Sequence, residues 1–221
     1  FVGPGLAEAL ASIEWPCRYL DFETVTMPLP LYDGHGCHQQ VLTQFSIHHR
    51  HGIGTGIEHA EFLSDPAQDC ERELAVSLID ALGDRESILM YSPFERTRIR
   101  SLRNAFPDLA EPLEEICGRL VDLKMIIERH IYHPQFRGKF SIKKVLPAMV
   151  PELSYTGLEI GNGSTAIVRF ARMARGEISG DAIASTRQQL LDYCRMDTYA
   201  MVRLHETLYE YAPLRTAAGA T

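Results

Sequence analysis

Two carboxylates stand two residues apart near the end of the first predicted strand, residues 18–24. Because side chains alternate along a strand, Asp21 and Glu23 project from the same side, where water and ligands reach them. Adjacent like charges repel each other, and a divalent cation is the usual counter-charge. The pair therefore indicates a metal site, with an exposed acidic strand end as the alternative.

Two further features place acidic and phenolic groups on predicted helices. Glu95 falls in the first turn of a helix that follows the apolar strand 87–91, where the helix dipole favours a carboxylate in any case. Tyr193 and Asp197 are four residues apart in a long predicted helix, so they share one face. Taken alone, each feature also fits a structural role, as a helix-end charge or a surface hydrogen bond.

In this order, the three features resemble the motifs of the DEDD exonuclease superfamily, tyrosine subclass. The matching segments are Asp21-Phe-Glu23-Thr24, Tyr91-Ser-Pro-Phe-Glu95 and Tyr193-Cys-Arg-Met-Asp197, and the resemblance spans residues 17–205. It implies a ribonuclease-H-like α/β fold, with a mixed sheet that starts as an antiparallel meander and carries helices on both faces. The sequence is also similar to a bacterial domain family of unknown function that is related to these exonucleases and often has Glu as the second acid.

The resemblance implies a metal-dependent 3′ to 5′ exonuclease that hydrolyses phosphodiester bonds at a single-stranded DNA or RNA end. Two Mg²⁺ or Mn²⁺ ions would use the oxygen ligands of Asp21, Glu23, Glu95 and Asp197, and would offset charge on the attacking and leaving oxygens. We expect Asp21 to bridge the ions. Tyr193 would orient the attacking water, because a phenol with a pKa near 10 is a poor general base.

Two positions depart from the superfamily pattern, which commonly has Asn at the place of Ser92 and Asp at the place of Glu95. The extra methylene moves the carboxylate outward by about one bond length, which matters where two ions lie about 3.5–4 Å apart. Two alternatives therefore stay open. One is a nucleic-acid-binding or regulatory module of a larger nuclease with weak or no turnover, and the other is a phosphoesterase of small nucleotides.

Three other segments have a structural interpretation. Val121-Asp-Leu123 and Phe140-Ser-Ile-Lys143 support the resemblance without carrying chemistry, and we interpret Asp122 and Ser141 as helix caps. The Gly-rich segment 157–163 lacks the Gly-Lys-Ser/Thr ending of a phosphate loop, so it predicts a turn with a helix start at Ser164.

Histidine and basic clusters carry weaker signals. His35-Gly-Cys37-His38 and His48-His-Arg-His51 match no common zinc spacing, so we interpret them as a substrate-contacting rim or solvated surface. The basic residues are interpreted as solvated helix faces, or as a phosphate channel with an aromatic base-stacking residue if they converge on the acids. The basic groups are Arg96, Arg98, Arg100 and Arg103; Arg137, Lys139, Lys143 and Lys144; and Arg169, Arg172 and Arg175, and the aromatic candidates are Phe22, Tyr32 and Phe94.

The elements that must position these groups follow from periodicity and turn residues. Alternating patterns predict strands over residues 18–24, 41–48 and 57–63, joined as an antiparallel meander. Helices then alternate with short strands at 87–91 and 120–122, and a long helix spans 181–211. This order of elements is typical of an α/β domain with a mixed sheet.

Composition bounds the protein class. The 221 residues carry 22 Lys+Arg against 29 Asp+Glu, a formal net charge of −7, and 45% are hydrophobic, which favours one globular domain over residues 1–221. No apolar run approaches the ~20 residues of a membrane helix, so we expect no membrane partner. An acidic chain requires that any phosphate-binding surface be a local patch.

The cysteines and the first residue bear on compartment and context. Five widely spaced cysteines without a Cys-x-x-Cys pair argue against a disulfide framework, so we expect a reducing, cytoplasmic location. The chain begins at Phe1 and shows no targeting pattern. We therefore expect a fragment of a longer polypeptide, with the other domains of the parent chain as partners.

Overall fold

The computed structural model describes residues 1–212, which form one five-stranded sheet and eight α-helices. The strands are β1 (Cys17–Thr26), β2 (Gln40–Arg50), β3 (Ile57–Leu63), β4 (Ser87–Met90) and β5 (Leu120–Asp122). The helices are α1 (Leu6–Ala11), α2 (Glu71–Leu82), α3 (Pro93–Ala105), α4 (Ala110–Gly118), α5 (Leu123–His130), α6 (Ile142–Met149), α7 (Gly163–Ala174) and α8 (Asp181–Tyr211).

The sheet has the order β3-β2-β1-β4-β5, with β1 at its centre. The pairings β1–β2 and β2–β3 are antiparallel, as the predicted meander requires, whereas β1–β4 and β4–β5 are parallel. The parallel strands are joined through helices, because a parallel connection must cross back over the sheet. The predicted α/β class, with a mixed sheet that starts as an antiparallel meander, is confirmed.

Helices cover both faces of this sheet, because neighbouring residues of the central strands point to opposite sides. Tyr19 of β1 and Leu89 of β4 pack with the buried residues of α1, α5, α6 and α8. Leu20 and Ile88, the adjacent residues, pack with α2, α3 and α4 on the other face. The predicted arrangement of helices is therefore confirmed.

Helix α8 is fixed to β2 by buried polar contacts as well as by apolar packing. Gln44 Nε2 donates to Leu190 O at 3.0 Å. The Thr198 hydroxyl hydrogen-bonds to Ser46 Oγ at 2.8 Å and to His48 Nδ1 at 2.7 Å. Since buried polar groups are costly to leave unpaired, these bonds set both the rotation and the position of α8 along the sheet.

The predicted elements agree with the structure to within a few residues, and the additional helix is α1. Its six residues are too few for a periodic pattern, although Leu6 and Leu10 are buried in the core. Within residues 1–212, no helix combines the length and the apolar character needed to cross a membrane.

Candidate metal centre

The two acidic residues of β1 lie where its parallel neighbour ends. Strand β4 pairs with β1 only through Cys17–Tyr19 and stops at Met90. Beyond that point the chain enters α3, so the carboxyl end of β4 opens beside Asp21. In open α/β sheets, a crevice at the carboxyl ends of strands is the usual place for a ligand.

Alternation along β1 turns both carboxylates toward α8. Cys194 Sγ on that helix lies 3.5 Å from Asp21 Oδ2. The β1–β2 register shifts after Glu23, because Glu23 pairs with Gln44 whereas Thr24 pairs with Leu42. Thr43 is left in a bulge between these pairs, and its hydroxyl donates to Glu23 O at 3.2 Å. Bulges of this kind often aim a side chain beside a functional site.

The carboxylates of Asp21, Glu23 and Asp197 form a tight cluster, with one oxygen from each within 4.8 Å of the others. They line a cavity of about 420 Å³ together with Glu95 and Tyr193. All five residues predicted from the three motifs therefore border one cavity, although the motifs are far apart in the sequence.

Glu95 borders the cavity but is not part of the tight cluster in the described chain. Ser92 caps α3 by accepting a hydrogen bond from Phe94 N, and its hydroxyl donates to Glu95 Oε2 at 3.2 Å. Ser92 thus holds the Glu95 side chain at the start of α3. As expected, Glu95 lies in the first turn of α3.

The cavity disfavours negative charge on its acids. Burial raises the pKa of Asp21 well above its usual range, and repulsion from Asp197, Glu95 and Glu23 adds to the effect. Burial also raises the pKa of Glu23 to about 8 and that of Glu95 to about 7. Without a cation, burial therefore favours the protonated form of Asp21, and Glu23, with a pKa of about 8, holds its proton at pH 7.

Lys143 lies inside the cavity, whereas we expected its segment to carry no chemistry. Its Nζ donates to Tyr193 Oη at 2.9 Å and to Gly161 O at 2.8 Å. The ammonium also lies over the rings of Tyr193 and Tyr155, 4.8 and 5.1 Å from their centroids. The Ser-Ile-Lys start of α6 was the available signal for this residue.

Tyr155 is a site residue that sequence reasoning missed, and no signal marked it because it lies in a loop outside the predicted elements. Its hydroxyl donates to Asp197 Oδ1. Burial raises the pKa of Asp197, and the hydrogen bond from Tyr155 opposes that rise. Asp197 is therefore the most strongly hydrogen-bonded acid of the cluster.

The predicted caps are partly confirmed. Asp122 caps α5 by accepting from Met125 N at 3.0 Å. Ser141 occupies the N-cap position of α6, but its side chain makes no capping bond and lines the cavity instead, so its interpretation as a cap was wrong.

The Gly-rich segment leads into α7, which starts at Gly163, one residue earlier than predicted, and is capped by Asn162. Gly163 lies close to the carboxylate cluster, since a Cβ added to it would stand 3.9 Å from Glu23 Oε2.

Of the three candidate stacking residues, Phe94 borders the cavity. Phe22 is 3% exposed in the core between the sheet and α3, so it cannot stack on a base and that suggestion was wrong. Tyr32 donates to Pro66 O and is not among the described residues that line the cavity.

The basic group after Glu95 is largely engaged in structure. Arg96 donates to Cys117 O at 2.7 Å and to Leu120 O at 3.1 Å, so it ties α3 to the next segment rather than facing solvent. Arg98 lies over the Phe94 ring, with its guanidinium carbon 5.5 Å from the ring centroid. In the described chain, the cationic side chains that line the cavity are Lys124 and Lys143.

The donor set fits hard divalent cations. The tight cluster offers carboxylate oxygens alone, which are the ligands that Mg²⁺ and Mn²⁺ prefer. Burial, with repulsion from the neighbouring acids, raises the pKa of Asp21 and Glu23, so a bound cation would favour their ionised forms. The fold and the site therefore define an α/β domain with an acidic cavity suited to divalent ions.

The chain belongs to the family described as Domain of unknown function (DUF2779), whose model matches residues 18–141. The predicted similarity to a family of unknown function is thus confirmed. The matched segment contains Asp21, Glu23 and Glu95, whereas Tyr193 and Asp197 lie beyond it. No curated protein and no solved structure matches the chain.

The raised pKa values predict that, in EDTA, the stability of the protein falls between pH 7 and 8. A carboxyl whose folded pKa is raised binds its proton more tightly in the folded state, so its stabilising contribution is lost as the pH rises through that value. For Glu23, with a folded pKa of about 8, the loss is about 1 kcal/mol. This pH window lies above the ordinary histidine pKa. Burial lowers the pKa of His48 and of His205, so both imidazoles are neutral in the folded and the unfolded protein there, and they add nothing to the pH dependence of stability.

Urea unfolding at pH 7.0, 7.5 and 8.0 measures this slope, which should be shallower in Glu23→Gln than in the wild type. The matched control is Glu210→Gln, because Glu210 is exposed. Equal slopes in the wild type and Glu23→Gln would contradict the described electrostatics.

Divalent cations should raise the melting temperature, because they bind the folded state alone. A concentration about 100 times Kd adds about 2.7 kcal/mol, or roughly 5–10 °C for a chain of this size. Asp21→Asn should abolish the increase, because it removes one of the three carboxylates of the tight cluster. Exposed Asp33 provides the control, Asp33→Asn. A melting temperature indifferent to millimolar Mg²⁺ and Mn²⁺ would count against the site.

Proposed function

We propose that this protein is a metal-dependent exonuclease that hydrolyses phosphodiester bonds at single-stranded nucleic acid ends, in the 3′ to 5′ direction. The observation that carries the proposal is the convergence of Asp21, Glu23 and Asp197 oxygens within 4.8 Å in a cavity that Glu95 and Tyr193 also line. This is the residue set of the three motifs that resemble DEDD exonucleases. The direction of degradation rests on that resemblance.

The four acids would hold two Mg²⁺ or Mn²⁺ ions, with Asp21, Glu23 and Asp197 closest together and Glu95 to one side. When bound, such cations offset the negative charge that develops on the attacking and leaving oxygens of an in-line displacement. Both acids of β1 are held by a central strand and Asp197 by a fixed helix. The ligands are therefore preorganised before substrate arrives.

Tyr193 would act by position rather than as a base. Burial raises the pKa of its hydroxyl well above the usual value, so the phenol keeps its proton and can donate a hydrogen bond. Lys143 holds the Tyr193 oxygen from the other side, at 2.9 Å. This contact fixes the phenol for orienting a water molecule, and the ammonium places a positive charge where a phosphate would enter.

Two observations bear on the alternatives. A volume of about 420 Å³ lies within the about 300–1,000 Å³ typical of small-molecule pockets, and Lys124 and Lys143 are the described cations lining it. These features favour a phosphoesterase of small nucleotides as the second candidate. The separation of Glu95 from the tight cluster favours the third, a binding or regulatory module of a larger nuclease with weak turnover.

A degradation assay tests the proposal. Single-stranded DNA and RNA oligonucleotides labelled at the 5′ end are incubated with the protein and Mn²⁺, and the products are resolved by length. We expect a ladder shortened from the 3′ end, reduced to background by Asp21→Ala and by Asp197→Asn. Asp33→Asn, an exposed loop substitution, should leave the ladder unchanged.

The other outcomes separate the candidates. Binding without shortening supports the regulatory module. Cleavage of mononucleotide esters alone supports the small-nucleotide phosphoesterase. A ladder that persists in Asp21→Ala would show that the described cavity does not carry the activity.

A further inference from the structure

A second group of metal-binding side chains lies at the turn end of the β2–β3 hairpin. Glu58 of β3 is the register partner of His49 on β2, and the ring of His51, just beyond the end of β2, has its centroid 4.6 Å from that of His49. One donor atom from each of the three residues lies within 4.8 Å of the others. The hairpin thus brings two imidazoles and a carboxylate together.

This group lies on the opposite face of the sheet from the carboxylate cluster. His48, the neighbour of His49, hydrogen-bonds to Thr198 of α8 and so faces the same side as Asp21. Alternation turns His49 to the face covered by α2, where its register partner on β1 is Arg18. The two groups of ligands are therefore separate sites.

The surroundings of His49 support a ligand role. Its side chain is 10% exposed, with Nδ1 3.4 Å from Glu58 Oε2 and Nε2 3.3 Å from Glu86 Oε2. Nε2 is buried and has no well-aligned hydrogen-bond partner in residues 1–212. Arg18 Nε in turn holds Glu86 Oε2 at 2.8 Å. Histidines that bind metals commonly use one ring nitrogen for the ion and direct the other toward a carboxylate.

We propose that His49, His51 and Glu58 bind one transition-metal cation of the zinc class, with Glu86 orienting His49. Imidazole and carboxylate ligands suit Zn²⁺ and Co²⁺ better than Mg²⁺. Zinc ligands lie about 2.0–2.2 Å from the ion, so the side chains must close slightly around it. His51 and Glu58 have that freedom, since their side chains are 60% and 72% exposed.

Three protein ligands leave at least one coordination position for water or for a group from another molecule. The exposure of His51 and Glu58 opens that position to the surface. The sequence spacing matched no zinc motif because Glu58 comes from the neighbouring strand, and only the hairpin register places it beside the histidines.

Equilibrium dialysis of the full chain against Zn²⁺ in excess Mg²⁺, followed by metal analysis, tests the proposal. We expect one Zn²⁺ that is bound at least ~10-fold more weakly by His51→Gln and by Glu58→Gln, and about 10-fold more weakly by Glu86→Gln. Exposed His38 provides the control, and His38→Gln should bind like the wild type. Co²⁺ should give a visible absorption band that His51→Gln removes.

Asp21→Asn separates this site from the carboxylate centre, because the zinc equivalent should persist when that centre is damaged. The substituted side chains of His51 and Glu58 are exposed, so these variants should unfold at the wild-type urea concentration. Zinc binding that is absent, unchanged in both of these variants, or lost in Asp21→Asn would overturn the proposal. Since the readout is metal stoichiometry, its failure leaves the nuclease proposal standing.

Discussion

The burial of four carboxyl groups around one cavity sets the main energetic demand on this fold. Asp21, Glu23 and Asp197 converge in one cavity, with Glu95 at its side. Burial raises the pKa values of these acids, and repulsion from the neighbouring acids adds to the rise for Asp21 and Glu23, so the ionised cluster is unfavourable until a cation or protons neutralise it. A fold that keeps such groups together gives up stability, and we propose that it does so to hold oxygen donors for cations.

The fold holds this arrangement by fixing the acids on three elements, β1, α3 and α8. Strand β1 is paired on both sides and carries the first two acids. Helix α8 is held in position on the sheet, because the Thr198 hydroxyl hydrogen-bonds to Ser46 and His48 and the Leu190 carbonyl accepts from Gln44. Polar residues of β2 thus face a helix rather than water, and their buried hydrogen bonds place Asp197 opposite Asp21.

Local chemistry predicted most of the fold and the motif residues, whereas long-range packing had to come from the structure. Alternation in β1 was enough to place Asp21 and Glu23 on one side, and helical spacing paired Tyr193 with Asp197. The sequence could not show that Phe22 is buried in the core or that the Lys143 side chain lines the cavity. Tyr155 carried no pattern, since its contact with Asp197 depends on how a loop folds over α8.

Anomalous X-ray diffraction from a crystal soaked in Mn²⁺ would test whether the acidic cavity holds two metal ions, as we propose. We expect two anomalous peaks about 3.5–4 Å apart, bounded by the carboxylates of Asp21, Glu23, Glu95 and Asp197. Asp21 should lie between them. A fully soaked crystal with no peak in the cavity, or with manganese bound only elsewhere, would contradict the account.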